Sequence, residues 1–294
     1  MGTEDKQLRL VLRTALEAAL EAGDYFRSRF ATELVVHTKT SISDLVTDVD
    51  PHCERLIHDR IRTSFPDHHV LGEESVGPGH DAAVTATREI LADEAVWIVD
   101  PLDGTTNFVH AIPLSVVSIA FACQGRIQVG VVCDPYRGEV FYSVRGQGAY
   151  LADKSAISDW ISRTGESNPG MKLAVSRIHE LERAVISTGL PMRHAERDVM
   201  MERTMPLITR AKSLRTLGAA ALQLAYVAAG RIDVFWEYEL NAWDVAAGVL
   251  LIEEAGGTVE DLDGQPYSLV TRDIIASGGR EVIQIIQDAL ASEK

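Results

Sequence analysis

The chain has 294 residues, with 28 Lys and Arg against 43 Asp and Glu, for a formal net charge of −15 at pH 7. That acid excess excludes a sequence-independent DNA or RNA binder, which needs a basic footprint. It leaves room for a phosphate substrate, because bound divalent cations reverse the local potential. A hydrophobic content of 46% with 24% charged residues fits a soluble globular fold. Cys53, Cys123 and Cys133 match no disulfide frame or zinc pattern. Their unpaired usage, with no basic-then-apolar leader, points to a cytoplasmic setting. No apolar stretch is long enough to span a bilayer.

In chain order, Leu8, Val11, Leu12, Ala15, Leu16, Ala19 and Phe26 recur at three and four, which predicts an amphipathic opening helix. Residues 39–49 hold a polar turn and a short extended piece. Asp50-Pro51 places a capping acid and a first-turn proline ahead of a helix running toward Ser64 and stopping before Pro66. Leu71-Gly72-Glu73-Glu74-Ser75 puts paired glutamates in a turn after a short apolar run, and 77–80 is a loop. Val96 to Val99 reads as a buried strand. The runs 114–122, 126–133 and 139–143 predict an antiparallel meander. The polar span 152–170 reads as a surface insertion between an N-terminal α+β half, about 1–150, and a C-terminal α/β half, about 171–294. In the second half, 173–176, 184–188 and 232–236 predict strands. Helices are expected over 200–212, 218–229, 243–255 and 282–291, the third stopped by Gly256-Gly257. Strand runs and helix runs are segregated, so the expected class is layered α+β.

The chemistry concentrates in Asp100-Pro101-Leu102-Asp103-Gly104-Thr105-Thr106. Two acids at the end of a buried strand need cationic compensation. Backbone amides around Gly104 and the Thr105 and Thr106 hydroxyls could hold an anion beside them. Carboxylates next to an anion cradle suit metal-assisted phosphoryl chemistry. Asp244 and Asp50 each stand at a helix start, where a carboxylate is favoured electrostatically with or without a ligand. Glu73 and Glu74 alone would be a solvated turn. Together with the 100–106 turn, these scattered oxygen donors suit Mg²⁺. The Asp-x-x-Asp spacing does not match the Asp-x-Asp of haloacid-dehalogenase phosphatases, and no cysteine sits in a nucleophile loop.

Trp97 to Phe108 resembles the first signature of the inositol monophosphatase family, and Trp243 to Gly248, running on to Glu254-Ala255-Gly256-Gly257, resembles the second. Asp44 to Asp50 and Gly72 to Ser75 also match family segments, in order along nearly the whole chain. The resemblance implies a layered αβαβα sandwich of the sugar-phosphatase type and Mg²⁺-dependent hydrolysis of a phosphate monoester. Carried over by motif, Glu73, Asp100 and the Leu102 carbonyl would hold one Mg²⁺, and Asp100, Asp103 and Asp244 a second. A third, weaker ion would lie near Glu73. Glu73 and Thr105 would polarise the metal-bound attacking water, Thr105 paired with Asp50 and that pair supported by Thr47. Gly104 and Thr105 amides would bind the phosphate, with Lys39 and Glu74 supporting.

The resemblance places Arg215, Gly218, Ala219, Ala220 and Glu237 near the alcohol part of the substrate, with Asp103 and Asp244 sharing that contact. Ala219 stands where the animal enzymes commonly carry a hydroxyl residue, and 186–191 looks like the bacterial branch. The implied substrate is inositol monophosphate. Fructose 1,6-bisphosphate, histidinol phosphate and 3'-phosphoadenosine 5'-phosphate are the family alternatives. The implied state is a homodimer sensitive to lithium. Neither direct nucleic-acid nor membrane contact is expected. Some bacterial members act as protein partners in transcription complexes, and that role stands beside the enzymatic one.

Overall fold

A computed structural model of the chain describes residues 3–40, 44–163, 168–190 and 194–291. Helix α1 (Thr3–Arg29) precedes a two-stranded antiparallel ribbon, β1 (Val36–Thr38) with β2 (Leu45–Thr47). Helix α2 (Asp50–Ser64) leads to β3 (His69–Gly72), a 3₁₀ turn over Glu73–Ser75, and α3 (His80–Glu89). Strand β4 (Val96–Asp103) runs into the short α4 (Thr105–Val109). The meander follows as β5 (Val116–Cys123), β6 (Arg126–Asp134), β7 (Glu139–Val144) and β8 (Gly148–Asp153). Helix α5 (Lys154–Arg163) and β9 (Met171–Lys172) end this half. The rest is β10 (Val185–Thr188), α6 (His194–Arg210), β11 (Ser213–Arg215), α7 (Ala220–Ala228), β12 (Val234–Glu237), α8 (Ala242–Glu254), β13 (Thr258–Asp261), β14 (Ile274–Ser277) and α9 (Arg280–Ala291).

The strands form a seven-stranded sheet, ordered β3-β4-β5-β6-β7-β8-β9, and a five-stranded sheet, ordered β11-β10-β12-β14-β13. Helices α1, α2 and α5 cover the outer face of the large sheet, and α6 and α9 cover the outer face of the small one. Helices α7 and α8 lie between the two sheets. Their sequences are apolar nearly all round because both flanks are buried, as a helix between two sheets requires. The result is the expected αβαβα order. Strand β4 is buried along its whole length, so it reads as a continuous apolar run until its two acids.

Several elements differ from expectation. Val49, not Asp50, is the N-cap of α2. Asp50 sits in the first turn and bonds back to Thr47, which it reaches without leaving the helix. Within 152–170, residues 154–163 form helix α5, whose Ile157 and Trp160 are buried. Arg9 of α1 stacks over the Trp160 ring at 5.5 Å. Two apolar residues three apart among polar ones make one buried helical stripe. Residues 164–167 of that span, and Pro191 of the segment resembling the bacterial branch, lie outside the described residues. Residues 173–176 form no strand; the Leu173 N–H bonds the Ala149 carbonyl and the Val175 N–H the Ala255 carbonyl. Helix α3 and strands β13 and β14 carry too short or too alanine-rich a pattern for periodicity to reveal.

Candidate active site

Strand β4 delivers two buried acids to one edge of the large sheet, Asp100 and Asp103. Its ladder with β5 slips between them, so Asp100 opposes Ser118 and Asp103 opposes Val116. Pro101 lies in that slip, and proline cannot donate to a ladder. Within the slip the Leu102 N–H bonds Asp100 Oδ1 at 2.9 Å. Gly104 then takes a left-handed conformation, φ 90°. A Cβ there would lie 2.9 Å from the Leu114 carbonyl oxygen and 3.1 Å from the Ala219 Cβ, so glycine lets the two halves of the molecule touch.

Asp50 is the hub of a small network behind this turn. Its Oδ2 accepts from the Thr47 N–H at 2.9 Å and the Thr47 hydroxyl at 2.5 Å. Its Oδ1 lies 3.0 Å from the Thr105 hydroxyl, which also lies 3.1 Å from the Leu102 carbonyl. One hydroxyl proton serves one of these at a time. Burial above all raises the Asp50 pKa, against the lowering effect of the threonine hydrogen bonds.

The paired glutamates sit in the 3₁₀ turn after β3, alongside β4. Lys39 bridges them, 2.9 Å from Glu73 Oε1 and 2.8 Å from Glu74 Oε1. Burial works to lower the Lys39 pKa, but Glu73 and Glu74 outweigh it and the net shift is upward. Burial and then Glu73 push Glu74 up to about 7. Glu54 of α2 was missed in the sequence and belongs here. It is 7% exposed and accepts from the Glu74 N–H at 2.8 Å and from the Ser75 hydroxyl. Its signal was spacing: it lies one helical turn beyond Asp50, on the same face.

The second sheet and the middle helices close the cleft. Asp103 Oδ1 and Oδ2 accept from the Ala220 and Ala221 N–H groups at 3.1 and 2.8 Å, so this acid of the first half caps α7 of the second. Ala219 occupies the N-cap of α7 and has no side-chain acceptor to offer, which leaves that work to Asp103. Asp244 stands in the first turn of α8 in a capping box with Asn241, accepting the Asn241 N–H at 2.6 Å. Asn241 is in turn fixed by Arg272 Nη1 at 2.6 Å. Glu237 ends β12 and packs flat on Gly189, where a Cβ would lie 1.9 Å from its Oε1.

The loop before α7 is held from both sides. Asn107 Nδ2 donates to the Leu217 carbonyl at 2.7 Å and the Leu114 carbonyl at 2.9 Å. Gln223 Oε1 accepts the Leu217 N–H at 3.2 Å and the Ser187 hydroxyl. Both polar groups of the Leu217 peptide are thus pinned by buried amide side chains, which sets Gly218 and Ala219 against Gly104. The Arg215 guanidinium donates to Ser213 Oγ and the Leu214 carbonyl.

Burial first, then Glu73, Asp103 and Asp244, raises Asp100 well above the ordinary carboxylate range. Burial and Asp244 do the same to Asp103, burial and Glu73 lift Asp244 to about 7, and burial with Asp103 and Asp244 raises Glu237. The acids are therefore near enough to repel one another. Among the described residues no three of them close into a ready-made ion cage. Lys39 is paired with Glu73, and backbone amides occupy both oxygens of Asp103 and one of Asp244. The donor set is all hard oxygen, with Asp100 and Asp103 buried and Glu73 partly exposed. It fits a divalent cation such as Mg²⁺ better than a transition metal, which would want His or Cys.

A layered αβαβα sandwich with acids at the end of β4, next to the edge of the large sheet, is the architecture of the sugar-phosphatase type. The model of the inositol monophosphatase family matches residues 7–293, and the chain belongs to that family. It is 38% identical over 273 residues to "Nus factor SuhB" of Pseudomonas aeruginosa, covering 90% of each chain. It is 34% identical over 279 residues to "Inositol monophosphatase 2" of Rattus norvegicus, covering 94% of this chain and 88% of that one. Among solved structures, the extragenic suppressor protein suhB from Bartonella henselae matches with a TM-score of 0.81 at 33% identity, over 97% of this chain and 100% of that one. The Thermotoga maritima IMPase matches with a TM-score of 0.78 at 30% identity, over 94% of each. Family and fold support a phosphatase. Among the described residues no helix is long and apolar enough to cross a membrane.

Proposed function

We propose that the chain is a cytoplasmic Mg²⁺-dependent phosphomonoesterase acting on inositol monophosphate. The observation that carries this is the mutual repulsion of Asp100, Asp103, Asp244 and Glu73, close together beside the Gly104–Thr105 turn, with Lys39 paired to Glu73 and Arg272 acting on Asp244. Glu73, Asp100 and the Leu102 carbonyl would hold one ion and Asp100, Asp103 and Asp244 a second, with a third near Glu73. When bound, Mg²⁺ supplies positive charge for the attacking and leaving oxygens and lowers the pKa of water.

The chain's own residues do the rest. Thr105 donates its hydroxyl hydrogen bond to Asp50, which Thr47 holds in place with two hydrogen bonds. The Thr105 oxygen then offers a lone pair to an approaching water and frees the Leu102 carbonyl from hydrogen bonding. Glu73 would accept the water's proton as the water oxygen bonds phosphorus and the ester P–O bond breaks, the leaving alkoxide taking a proton from solvent water. The first N–H groups of α4 lack helical acceptors and face the phosphate at Gly104 and Thr105. Glu237 and the Gly218–Ala220 backbone contact the polyol, with Asp103 and Asp244 at the boundary between phosphate and alcohol. Lys39 and Glu74 hold Glu73 in its turn.

The test is phosphate release with and without Mg²⁺ from inositol 1-phosphate, fructose 1,6-bisphosphate, histidinol phosphate and 3'-phosphoadenosine 5'-phosphate. Strong Mg²⁺-dependent turnover of inositol 1-phosphate supports the proposal. Preference for another member of the panel reassigns the substrate. A second function is favoured by one observation: several relatives, including that of Escherichia coli at 36% identity, are named "Nus factor SuhB". Under it the chain is also a protein partner in a transcription complex. Affinity purification from the native host at low salt, with no transcription protein recovered, removes it.

A further inference from the structure

Glu54 occupies an unfavourable place for an acid. It is buried on α2, one turn from Asp50 and against the turn that carries Glu73 and Glu74. Its Oε2 accepts the Glu74 N–H at 2.8 Å and its Oε1 the Ser75 hydroxyl, so both hydrogen bonds go to the turn immediately after Glu73. The preceding residue is shaped to admit it. Gly72 has ordinary extended dihedrals, φ −107° and ψ 146°, so backbone freedom does not explain a glycine there. Space does: a Cβ at 72 would lie 2.4 Å from Glu54 Oε2 and 2.5 Å from its Cδ. Two observations on different elements thus describe one clamp, a carboxylate from α2 seated over Gly72 and gripping residues 74 and 75.

We infer that Glu54 is a positioning residue for metal binding: it locks the Glu73–Ser75 turn so that Glu73 is presented to the cation site. A free 3₁₀ turn of three residues has few bonds of its own, and here the Val76 N–H reaches the Glu73 carbonyl only at 3.4 Å. Lys39 also restrains the turn through Glu73 and Glu74, but without the clamp the turn's backbone loosens and the Glu73 carboxylate samples more directions. A ligand that must be ordered at binding costs affinity, which is how residues behind a metal ligand tune it. The inference rests on the proposal that Glu73 is a cation ligand.

Four variants test it. Each is titrated with Mg²⁺ in the phosphate-release assay, for the half-saturating concentration, kcat and KM. Each is also titrated by calorimetry without substrate, which reads Mg²⁺ binding directly. Glu54→Ala should raise the Mg²⁺ requirement roughly 10- to 100-fold and weaken calorimetric binding in step, as for the loss of groups behind a metal ligand. Glu54→Gln still accepts the Glu74 N–H and donates to Ser75, so it should recover most of the affinity. Gly72→Ala evicts the carboxylate from the other side and should weaken Mg²⁺ in the same direction. Should Glu54→Ala not fold, Gly72→Ala decides. A kcat loss with unchanged Mg²⁺ half-saturation and unchanged calorimetric binding makes Glu54 a packing residue and overturns the inference. Glu73→Gln is the control for the underlying proposal. If it binds Mg²⁺ as the unaltered protein does, Glu73 is no ligand and the two ideas fall together; if only the Glu54 and Gly72 variants are silent, the clamp alone is wrong.

Discussion

The two walls of the cleft are built on different principles. The wall at the end of the large sheet is one contiguous turn, 100–106, backed by a dense local network from Thr47, Asp50, Glu54, Glu73 and Lys39. The facing wall is assembled from remote pieces: Glu237 at the end of β12, Gly218 and Ala219 before α7, and Asp244 in α8. Hydrogen bonds from Asp103 to the α7 amides and from Asn107 to the Leu217 carbonyl join them, beside the close approach of Gly104 to Ala219. The first wall is fixed by its own neighbours. The second depends on the first for its position, so damage to a joining residue should show on both walls, and damage to either wall on that wall alone.

Asp103→Asn should have the largest effect. The substitution removes charge from the proposed cation site and offers an amide where Ala220 or Ala221 expects an acceptor. Turnover should fall by roughly two to three orders of magnitude, the scale of losing a group that stabilises transition-state charge. Stability should drop by about 1 kcal/mol through the lost cap on α7. Phosphate release and thermal melts read the two walls separately. Loss of turnover with an unchanged melt would show that Asp103 does not join them.

The next effect concerns pH and metal. Burial and mutual repulsion hold Asp100 and Asp103 above the ordinary carboxylate range, and Asp244 up to about 7. The folded state therefore binds more protons than the unfolded chain between about pH 4 and 7. The stability these groups contribute is fully present below their unfolded pKa and is lost as pH rises through their folded pKa. Metal-free protein should melt at a lower temperature at pH 8 than at pH 6, and excess Mg²⁺, which favours the ionised forms, should flatten that slope. Melts in EDTA and in Mg²⁺ across that range check it. A metal-free slope of the opposite sign would mean the acids are not buried together.

Legibility in the sequence follows the same division. The 100–106 turn could be read because its donors are contiguous and the strand before it is plainly apolar. Asp50 was placed one position too early, as the cap itself, because an Asp-Pro pair looks the same at N-cap and N1. Glu54 was missed although it shares a face with Asp50, since an acid among Cys53, Ile57 and Ile61 reads as surface until the turn it grips is known. Asn107 and Gln223 were illegible as a pair: each holds Leu217, more than a hundred residues from one and six from the other. Segregated strand and helix runs pointed to a layered α+β class and the family resemblance alone implied the five layers, whereas α5 was hidden in a polar span by having only two buried apolar anchors.

Asn107→Ala breaks the second join. The Leu217 and Leu114 carbonyls lose a buried donor, which costs about 1–3 kcal/mol. The catalytic acids keep their partners, so KM should rise roughly tenfold while kcat changes less, the pattern of lost ground-state binding. Glu237→Gln touches the remote wall alone. It should leave the Mg²⁺ requirement unchanged and shift the ratio of kcat/KM between inositol 1-phosphate and a smaller phosphate ester by about tenfold, one hydrogen bond's worth of discrimination. A change in Mg²⁺ half-saturation would move Glu237 to the other wall.

The smallest effect is the most discriminating. Ala219→Ser supplies the hydroxyl that α7 lacks at its N-cap, where serine ordinarily adds about 1 kcal/mol. Here Asp103 already accepts from Ala220 and Ala221, so the hydroxyl competes for amides that have a partner. The gain in stability should then be a few tenths of a kcal/mol at most, well short of a full cap. If the full value appears instead, Asp103 was a weak cap, free to turn toward a cation without loosening α7. If the substitution is neutral, the carboxylate is committed to both tasks at once, and each of its oxygens must serve an amide with one lone pair and the cleft with the other.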